Sequence, residues 1–398
     1  MSKYSGTISR GIKLPILKIG DDLAGEVVKA VTKASKKDHF KLQDKDVIAI
    51  TESIVSRTDG NYVSVSDIAA DVAEKVSGDN KVIGVVFPIL SRNRFSVILR
   101  GIAKAAKKIV LVLSFPADEV GNHLISDMDL YKHGVSMDES MTETKFREIF
   151  GETKHEFTGI DYIQYYKDLI HECDCDAEII MSNDPTVVLK RTKTVIAADI
   201  HTRFMTKAKL EAAGAKKVIL LSDILSAPSD NHGYNSKYGL LGSNKVDDSI
   251  LKLFPENGDE LVHKVQDMIF KKTKKRVEVM VYGDGAFKDP QGKIWELADP
   301  VVSPFHTEGL KGTPNEIKLK YFADNKFREL TGKELDKAIK GEIAKKDDDL
   351  KGNMASEGTT PRQLTDLLGS LADLTSGSGD KGTPVVLIQG YFNNYSSK

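Results

Sequence analysis

The sequence is poor in cysteine and tryptophan, with two cysteines and one tryptophan among 398 residues. Cys173 and Cys175 stand two positions apart, a spacing at which cysteines rarely bridge each other. A disulfide-stabilised secreted fold is therefore not expected, and the composition is typical of a reduced, cytosolic protein. His171, Asp174 and Asp176 flank the pair, but a zinc site would need a second pair of ligands. We interpret this segment as the end of a helix.

Long apolar runs and an excess of charge of either sign are also missing. The longest apolar stretches, such as Lys108–Leu113, have the length of a strand and are far short of the roughly 20 residues that cross a membrane. The segment Met1–Gly20 has no apolar region of signal-peptide type. The net charge is -1, whereas nucleic-acid binders usually carry a basic excess. We therefore expect a cytoplasmic protein that binds neither membranes nor nucleic acids.

What the sequence contains is the balance of a globular protein, with 40% hydrophobic and 29% charged residues. The length predicts two domains, or one domain with a large insertion. The patterns predict buried strands at Lys45–Thr51 and Val277–Tyr282 and a further strand at Phe95–Leu99. Between residues 119 and 231 strands and helices alternate, which is typical of a parallel α/β unit.

A glycine-rich loop, Thr375–Gly382, lies between a predicted helix and the strand Val385–Gln389. Glycines allow backbone N–H groups to converge on phosphate oxygens, and Lys381 would add positive charge. The loop is not of the Walker A type, because neither the lysine spacing nor a following helix fits. A flexible turn between helix and strand explains the composition equally well.

Four further segments contain polar side chains that could form a site. Asp284 follows a strand and stands between Gly283 and Gly285, where a carboxylate could hold a hard cation or only stabilise its own turn. The other polar positions are Ser53 and Arg57 after the strand Lys45–Thr51, and Asn244 and Lys245 in a polar loop. Asp199, His201 and Arg203 follow another strand, at a place where open α/β sheets often form a crevice. A capped helix start is the alternative for this last segment.

Four segments of the chain, taken in order, resemble the coenzyme F-420 gamma-glutamyl ligase family. They are Leu14–Leu23, Asp46–Gly60, Lys275–Asp284 and Gly379–Gly390. The resemblance covers about residues 10–100 and 235–395, and the short archaeal members have no counterpart of the segment between them. It implies a mixed α+β and α/β fold with a ligase-like core, residues 1–118 and 232–398, and an inserted α/β segment, residues 119–231.

The resemblance also implies an activity and a set of site residues. The expected enzyme is a GTP-dependent ligase that uses Mg²⁺ or Mn²⁺ to join L-glutamate, by an amide bond, to a small-molecule carboxylate acceptor of the deazaflavin type. An acyl phosphate would be the intermediate, and a homodimer is expected. The nucleotide contacts would be Leu14, Pro15, Ser53, Arg57, Asn244, Lys245, Gly377, Ser378, Gly379, Asp380, Lys381 and Gly382. The metal ligands would be Asp284 and Asp366, and no catalytic side chain is assigned.

The chain departs from the family pattern at three places. Leu241 or Gly242 replaces an acidic metal ligand that precedes the position of Asn244, and Gly377 or Ser378 stands where the C-terminal loop of the family has an acid. Gly283 stands where the simplest alignment places an aspartate, so Asp284 is matched with a shift of one residue. Two other functions stay open: a gamma-glutamyl ligase for folate or another acceptor, and a nucleotide-binding protein without ligase activity.

Overall fold

The computed structural model describes residues 6–76, 81–156, 158–283, 286–288, 295–297, 304–350, 352–356, 362–376 and 380–397. The strands are β1 Ile8–Ile12, β2 Val47–Thr51, β3 Tyr62–Ser64, β4 Val82–Val86, β5 Lys108–Leu113, β6 Ser140–Thr142, β7 Asp176–Ser182, β8 Thr194–Ala197, β9 Lys217–Leu220, β10 Asn244–Lys245, β11 Ile250–Lys252, β12 Glu278–Tyr282, β13 Ala286–Lys288, β14 Trp295–Leu297, β15 Phe305–His306 and β16 Val385–Gln389. The helices are α1 Leu23–Lys37, α2 Glu52–Asp59, α3 Val65–Val76, α4 Arg94–Ala105, α5 Asp127–His133, α6 Glu143–Phe150, α7 Tyr162–His171, α8 Arg203–Ala212, α9 Gly258–Thr273, α10 Leu319–Asp324, α11 Gly332–Lys345 and α12 Leu364–Ser376. Short 3₁₀ helices lie at Pro185–Lys190, Leu221–Asp223, Glu308–Leu310 and Met354–Ser356.

A five-stranded sheet contains the first and last strands of the chain, in the order β1-β16-β2-β12-β15. Strands β2 and β12 are parallel, and the other neighbours are antiparallel. Because side chains alternate along a strand, Ile48 and Ile50 pack on one face against α1 and α9, while Val47 and Ala49 pack on the other against α12. Burial on both faces explains why the sequence of β2 is a continuous apolar run.

A six-stranded sheet has the order β6-β7-β5-β4-β8-β9. All its strands are parallel except the edge strand β6. Helices α3, α4 and α7 cover one face, and α8 with the turn Pro185–Lys190 covers the other. The chain moves outward from β4 through β5 to β7 and then returns to the other side of β4, so the order reverses between β4 and β8. This reversal is the feature that places ligand sites in many open α/β sheets.

A small antiparallel sheet, β10-β11-β3, stands beside α2 and α4, and β13 pairs with β14. Within β10 and β11, Asn244 lies directly opposite Lys252. In the described part of the chain, no helix is both long and apolar enough to cross a membrane.

The predicted mixed α/β fold class is confirmed, but two sequence-based assignments differ from the structure. The predicted boundary at residue 119 falls inside the six-stranded sheet, because β4 and β5 precede it and pair with β8 and β7. The parallel unit therefore does not begin at residue 119. The strand predicted at Phe95–Leu99 is wrong, since these residues belong to α4 and are buried against α3. Aromatic and β-branched residues suggested a strand, and burial in the helical layer explains the same composition.

Candidate functional site

Strands β2 and β12 are parallel neighbours, and their carboxyl ends meet at one edge of the five-stranded sheet. Thr51, the last residue of β2, is paired in register with Tyr282, the last residue of β12. Helix α2 starts directly after Thr51, and Gly60, in the left-handed region with φ 70°, ends it. The backbone N–H of Thr51 donates to the carbonyl of Pro384 at 3.0 Å, which brings the start of β16 to the same edge.

Glu52, the first residue of α2, has a buried carboxyl group. The residue is 4% exposed, and the side-chain amide of Asn244 donates to its Oε1 at 2.5 Å. A buried carboxylate requires such donors because the loss of water is costly. The strand β10 therefore holds Glu52 at the sheet edge through Asn244.

Lys252, opposite Asn244, binds the next residue of α2. It is only 8% exposed, and its ammonium donates to the backbone oxygen of Ser53 at 3.0 Å and also to Oγ of Ser53. A hydroxyl oxygen that accepts a hydrogen bond keeps its own hydrogen for another acceptor. Since no other described residue takes that hydrogen, the Ser53 hydroxyl is a donor beside the N-terminus of α2.

Tyr282 contributes a second hydroxyl at this edge. The residue is 1% exposed, and burial raises its pKa to about 12. The hydroxyls of Ser376 and Thr51 lie beside the phenol and oppose this rise in pKa, while the charges of Asp373 and Glu52 add to it. Neither neighbouring hydroxyl reaches hydrogen-bonding geometry with Tyr282. Because Asp373 and Ser376 belong to the last turn of α12, the C-terminus of that helix also lies at the site.

The loop before β16 and the segment after β1 are neighbours here. The backbone N–H of Leu14 donates to the carbonyl of Gly382 at 3.2 Å, and the φ of Gly382 is 64°, a left-handed value that suits glycine. Pro15, Asp380 and Lys381 are exposed. Two regions that the resemblance assigned to nucleotide binding are thus in contact.

Of three other predicted residues, Arg57, Lys245 and Asp366, the last lies away from this edge. Arg57 is exposed and lies one turn after Ser53, on the same side of α2. Lys245 forms an ion pair with Asp248 at 2.5 Å. Asp366 is ten residues before Ser376 in α12, which is about 15 Å along the helix axis, so the structure does not bring it to this edge.

Some predicted residues lie outside the described part of the chain. They are Gly377, Ser378, Gly379 and Asp284. The last described residue on the side of β12 is Gly283, directly after Tyr282.

Lys252, Tyr282 and Asp373 were missed as site residues from the sequence. One signal was present for Lys252: it is the only charged residue in the apolar run Ile250–Phe254. Tyr282 and Asp373 gave no local signal, because their positions depend on where β12 and α12 end relative to each other.

The oxygen atoms at this edge are suited to a hard cation. Carboxylate, amide and hydroxyl oxygens come from Glu52, Asn244 and Tyr282, and Mg²⁺ needs only one or two protein carboxylates when phosphate and water complete its shell. Within the described residues, no three His, Cys, Asp or Glu side chains form a group that could hold a metal alone. The donor set therefore fits a cation that shares its ligands with a bound phosphate.

The polar segment after β8 does not form an open crevice. The carboxylate of Glu119 accepts backbone N–H groups at the N-terminus of α8, at 2.9 Å from His201 and 3.2 Å from Thr202. Leu240 and Leu241 pack with Ile89 and Ile200 just beyond the carboxyl ends of β4 and β8, where a cavity of only about 10 Å³ remains. A capped helix start, the alternative that the sequence left open, is therefore correct.

Comparison with known proteins identifies the family of the chain. A family model described as F420-0:Gamma-glutamyl ligase matches residues 11–390. A coenzyme F420:L-glutamate ligase from Methanothermobacter thermautotrophicus is 31% identical over 78 residues, which are 18% of this chain and 29% of that protein. The matched part thus spans less than a third of this relative. The family model covers almost the whole sequence, and the chain therefore belongs to the F420-0:Gamma-glutamyl ligase family.

Proposed function

We propose that this chain is a nucleotide- and metal-dependent ligase that adds L-glutamate to F420-0 or a related carboxylate acceptor. A phosphoryl group would pass from GTP to an oxygen of the acceptor carboxylate, releasing GDP and giving an acyl phosphate. The amine of glutamate would then attack the acyl carbon, losing a proton and expelling inorganic phosphate as the amide bond forms. The family match over residues 11–390 is the observation that carries this proposal.

The edge formed by β2, β12 and β16 supports a nucleotide site. The first N–H groups of α2 have no partners within the helix, and a helix N-terminus attracts phosphate. The hydroxyl of Ser53 adds a donor, and the buried ammonium of Lys252 adds positive charge beside it. We assign phosphate binding to this end of α2, with Arg57 and the loop through Lys381 and Gly382 as further contacts.

We assign the metal to the acidic side of the same edge, with Glu52 and Asp284 as ligands. A divalent cation there would neutralise the charge that develops on the phosphate oxygens during transfer. Asn244 keeps the carboxylate of Glu52 in place through the 2.5 Å hydrogen bond. Mg²⁺ and Mn²⁺ are the proposed ions, and a homodimer is the proposed assembly.

The decisive experiment measures GDP release from GTP in the presence of Mg²⁺ or Mn²⁺, L-glutamate and F420-0. Release that requires both glutamate and acceptor is the expected result, and ATP and folate in parallel assays identify the nucleotide and acceptor. Asp284→Asn should reduce the rate at least tenfold, whereas Asp366→Asn, at the far end of α12, should have little effect. Equal losses in the two variants would contradict this choice of metal ligand.

A nucleotide-binding protein without ligase activity is the second candidate. It is favoured by one observation, namely that the described residues include no group of three His, Cys, Asp or Glu side chains that could hold a metal ion. In that case GTP with Mg²⁺ would still raise the melting temperature, because a ligand that binds the folded state stabilises it. Glutamate-dependent GDP release would then be zero with every acceptor.

A further inference from the structure

The hydroxyl of Tyr282 is a buried polar group without a hydrogen-bond partner among the described residues. Such groups are rare, because an unsatisfied buried donor destabilises the folded state. Tyr166, in the core of the six-stranded sheet, shows the usual arrangement. Its hydroxyl accepts from the N–H of Ser91 at 2.7 Å and donates to the carbonyl of Ile89 at 2.8 Å. The two tyrosines are equally buried, yet only one of them has its hydroxyl satisfied by the protein.

The surroundings of Tyr282 indicate which partner would suit it. The charges of Asp373 and Glu52 both act on the phenol, and it lies at the C-terminal end of α12, where the helix dipole is negative. A phosphate oxygen alone would be repelled by the two carboxylates. A cationic group with N–H or O–H bonds would be attracted by them and could also donate to the phenol oxygen.

We propose that the hydroxyl of Tyr282 contacts a cationic, hydrogen-bonding group of the ligand bound at this edge. Two groups in the proposed reaction have this chemistry: the ammonium group of L-glutamate and the water shell of a divalent cation. The assignment rests on the proposed function for the identity of these ligands. It makes Tyr282 a ligand-contacting residue whose hydroxyl lowers the stability of the unliganded protein and strengthens binding.

The test uses the full-length chain and two matched substitutions, Tyr282→Phe and Tyr166→Phe. Without ligand, Tyr282→Phe should keep or raise the melting temperature, because it removes an unsatisfied group, whereas Tyr166→Phe should lower it. Calorimetric titration with MnCl₂ alone and with L-glutamate alone then measures binding. Tyr282→Phe should weaken one of these ligands about threefold to tenfold, which is the contribution of one hydrogen bond, and Tyr166→Phe should weaken neither.

The ligand that loses affinity identifies the contact. Weaker binding of Mn²⁺ assigns the hydroxyl to the hydrated cation, and weaker binding of glutamate assigns it to the ammonium group. Unchanged affinity for both, or a wild-type chain that binds neither, would overturn the proposal. So would a fall in melting temperature equal to that of Tyr166→Phe, since it would show that the hydroxyl is satisfied within the protein. Neither readout uses GDP release, so failure of the proposed ligase activity would be recognised separately.

Discussion

The hydrogen bond between Asn244 and Glu52 is the contact on which the proposed site depends most directly. The amide donates to the Oε1 of a carboxyl group that is 4% exposed, at 2.5 Å. Hydrogen bonds to charged partners contribute about 1.5–3 kcal/mol, and Asn244→Ala removes the donor while the carboxylate stays buried. We therefore expect Asn244→Ala to lower the free energy of unfolding by about 2 kcal/mol.

The size of the chain decides the assay. At roughly 2.1 cal/mol/K per residue, the unfolding entropy of 398 residues is about 0.8 kcal/mol/K, so 2 kcal/mol would shift the melting temperature by only about 2–3 °C if the chain unfolds as one unit. Urea unfolding followed by circular dichroism is the better measurement, because it gives the free energy directly. A cycle of Asn244→Ala, Glu52→Gln and the double variant isolates the coupling between the two side chains.

A neighbouring ion pair provides the control for this cycle. Lys245→Ala breaks the contact of Lys245 with Asp248, whose side chain is 80% exposed, and exposed ion pairs contribute only about 0–1 kcal/mol. The expected coupling of Asn244 with Glu52 is about 1.5 kcal/mol or more. A coupling below about 0.5 kcal/mol would refute the view that Asn244 acts by holding this carboxylate.

Two further predictions concern stability away from the site. Burial is the main cause that raises the pKa of Asp199 above 3.8, and the nearby Glu119 adds to it. The folded chain therefore binds a proton on Asp199 more tightly than the unfolded chain does. The resulting stabilisation is present at low pH and is lost as the pH rises above 3.8. Asp199→Asn should therefore raise the melting temperature at pH 7 and weaken its fall between pH 4 and 7; an unchanged pH profile would contradict this. Gly101→Ala in α4 should lower stability by about 1–3 kcal/mol, because its Cβ would lie 2.4 Å from Ile68 Cγ2. Gly341→Ala in α11 meets no atom within 4 Å and should add about 0.5–1 kcal/mol by urea unfolding; equal effects of the two alanines would refute the packing argument.

Local sequence patterns were sufficient for the elements that form the site edge. The strands predicted at Lys45–Thr51 and Val277–Tyr282 correspond to β2 and β12, which are mostly apolar because both of their faces are buried. The segment Phe95–Leu99 shows the limit of this reasoning. It is also mostly apolar, with Ser96 as its one polar residue, but it belongs to a helix that packs closely on α3, where Gly101 meets Ile68. Composition alone does not distinguish a buried strand from a buried helix.

Some of the candidate site residues could be predicted from the sequence, and others could not. Ser53 and Gly382 were predicted from short segments that resemble the family, and Asn244 was predicted from a polar loop with the help of the same resemblance. The structure places all three around the carboxyl end of β2. Lys252 and Tyr282 could not be predicted from short segments, because their positions at the site depend on the pairing of strands that are distant in the sequence. Lys252 reaches Ser53 only because β11 lies opposite β10 and beside α2. No pattern in either sequence segment specifies that arrangement.

The segment between residues 240 and 244 links the site to the six-stranded sheet. Leu240 and Leu241 are buried in the core of that sheet, beyond the carboxyl ends of β4 and β8, where an open α/β sheet would bind a ligand. Asn244, three residues after Leu241, donates to Glu52. Because a well-packed core fixes the leucines, it also limits the positions that Asn244 can take. The core of the six-stranded sheet therefore helps to position Asn244. The same two leucines, Leu240 and Leu241, close the crevice of that sheet.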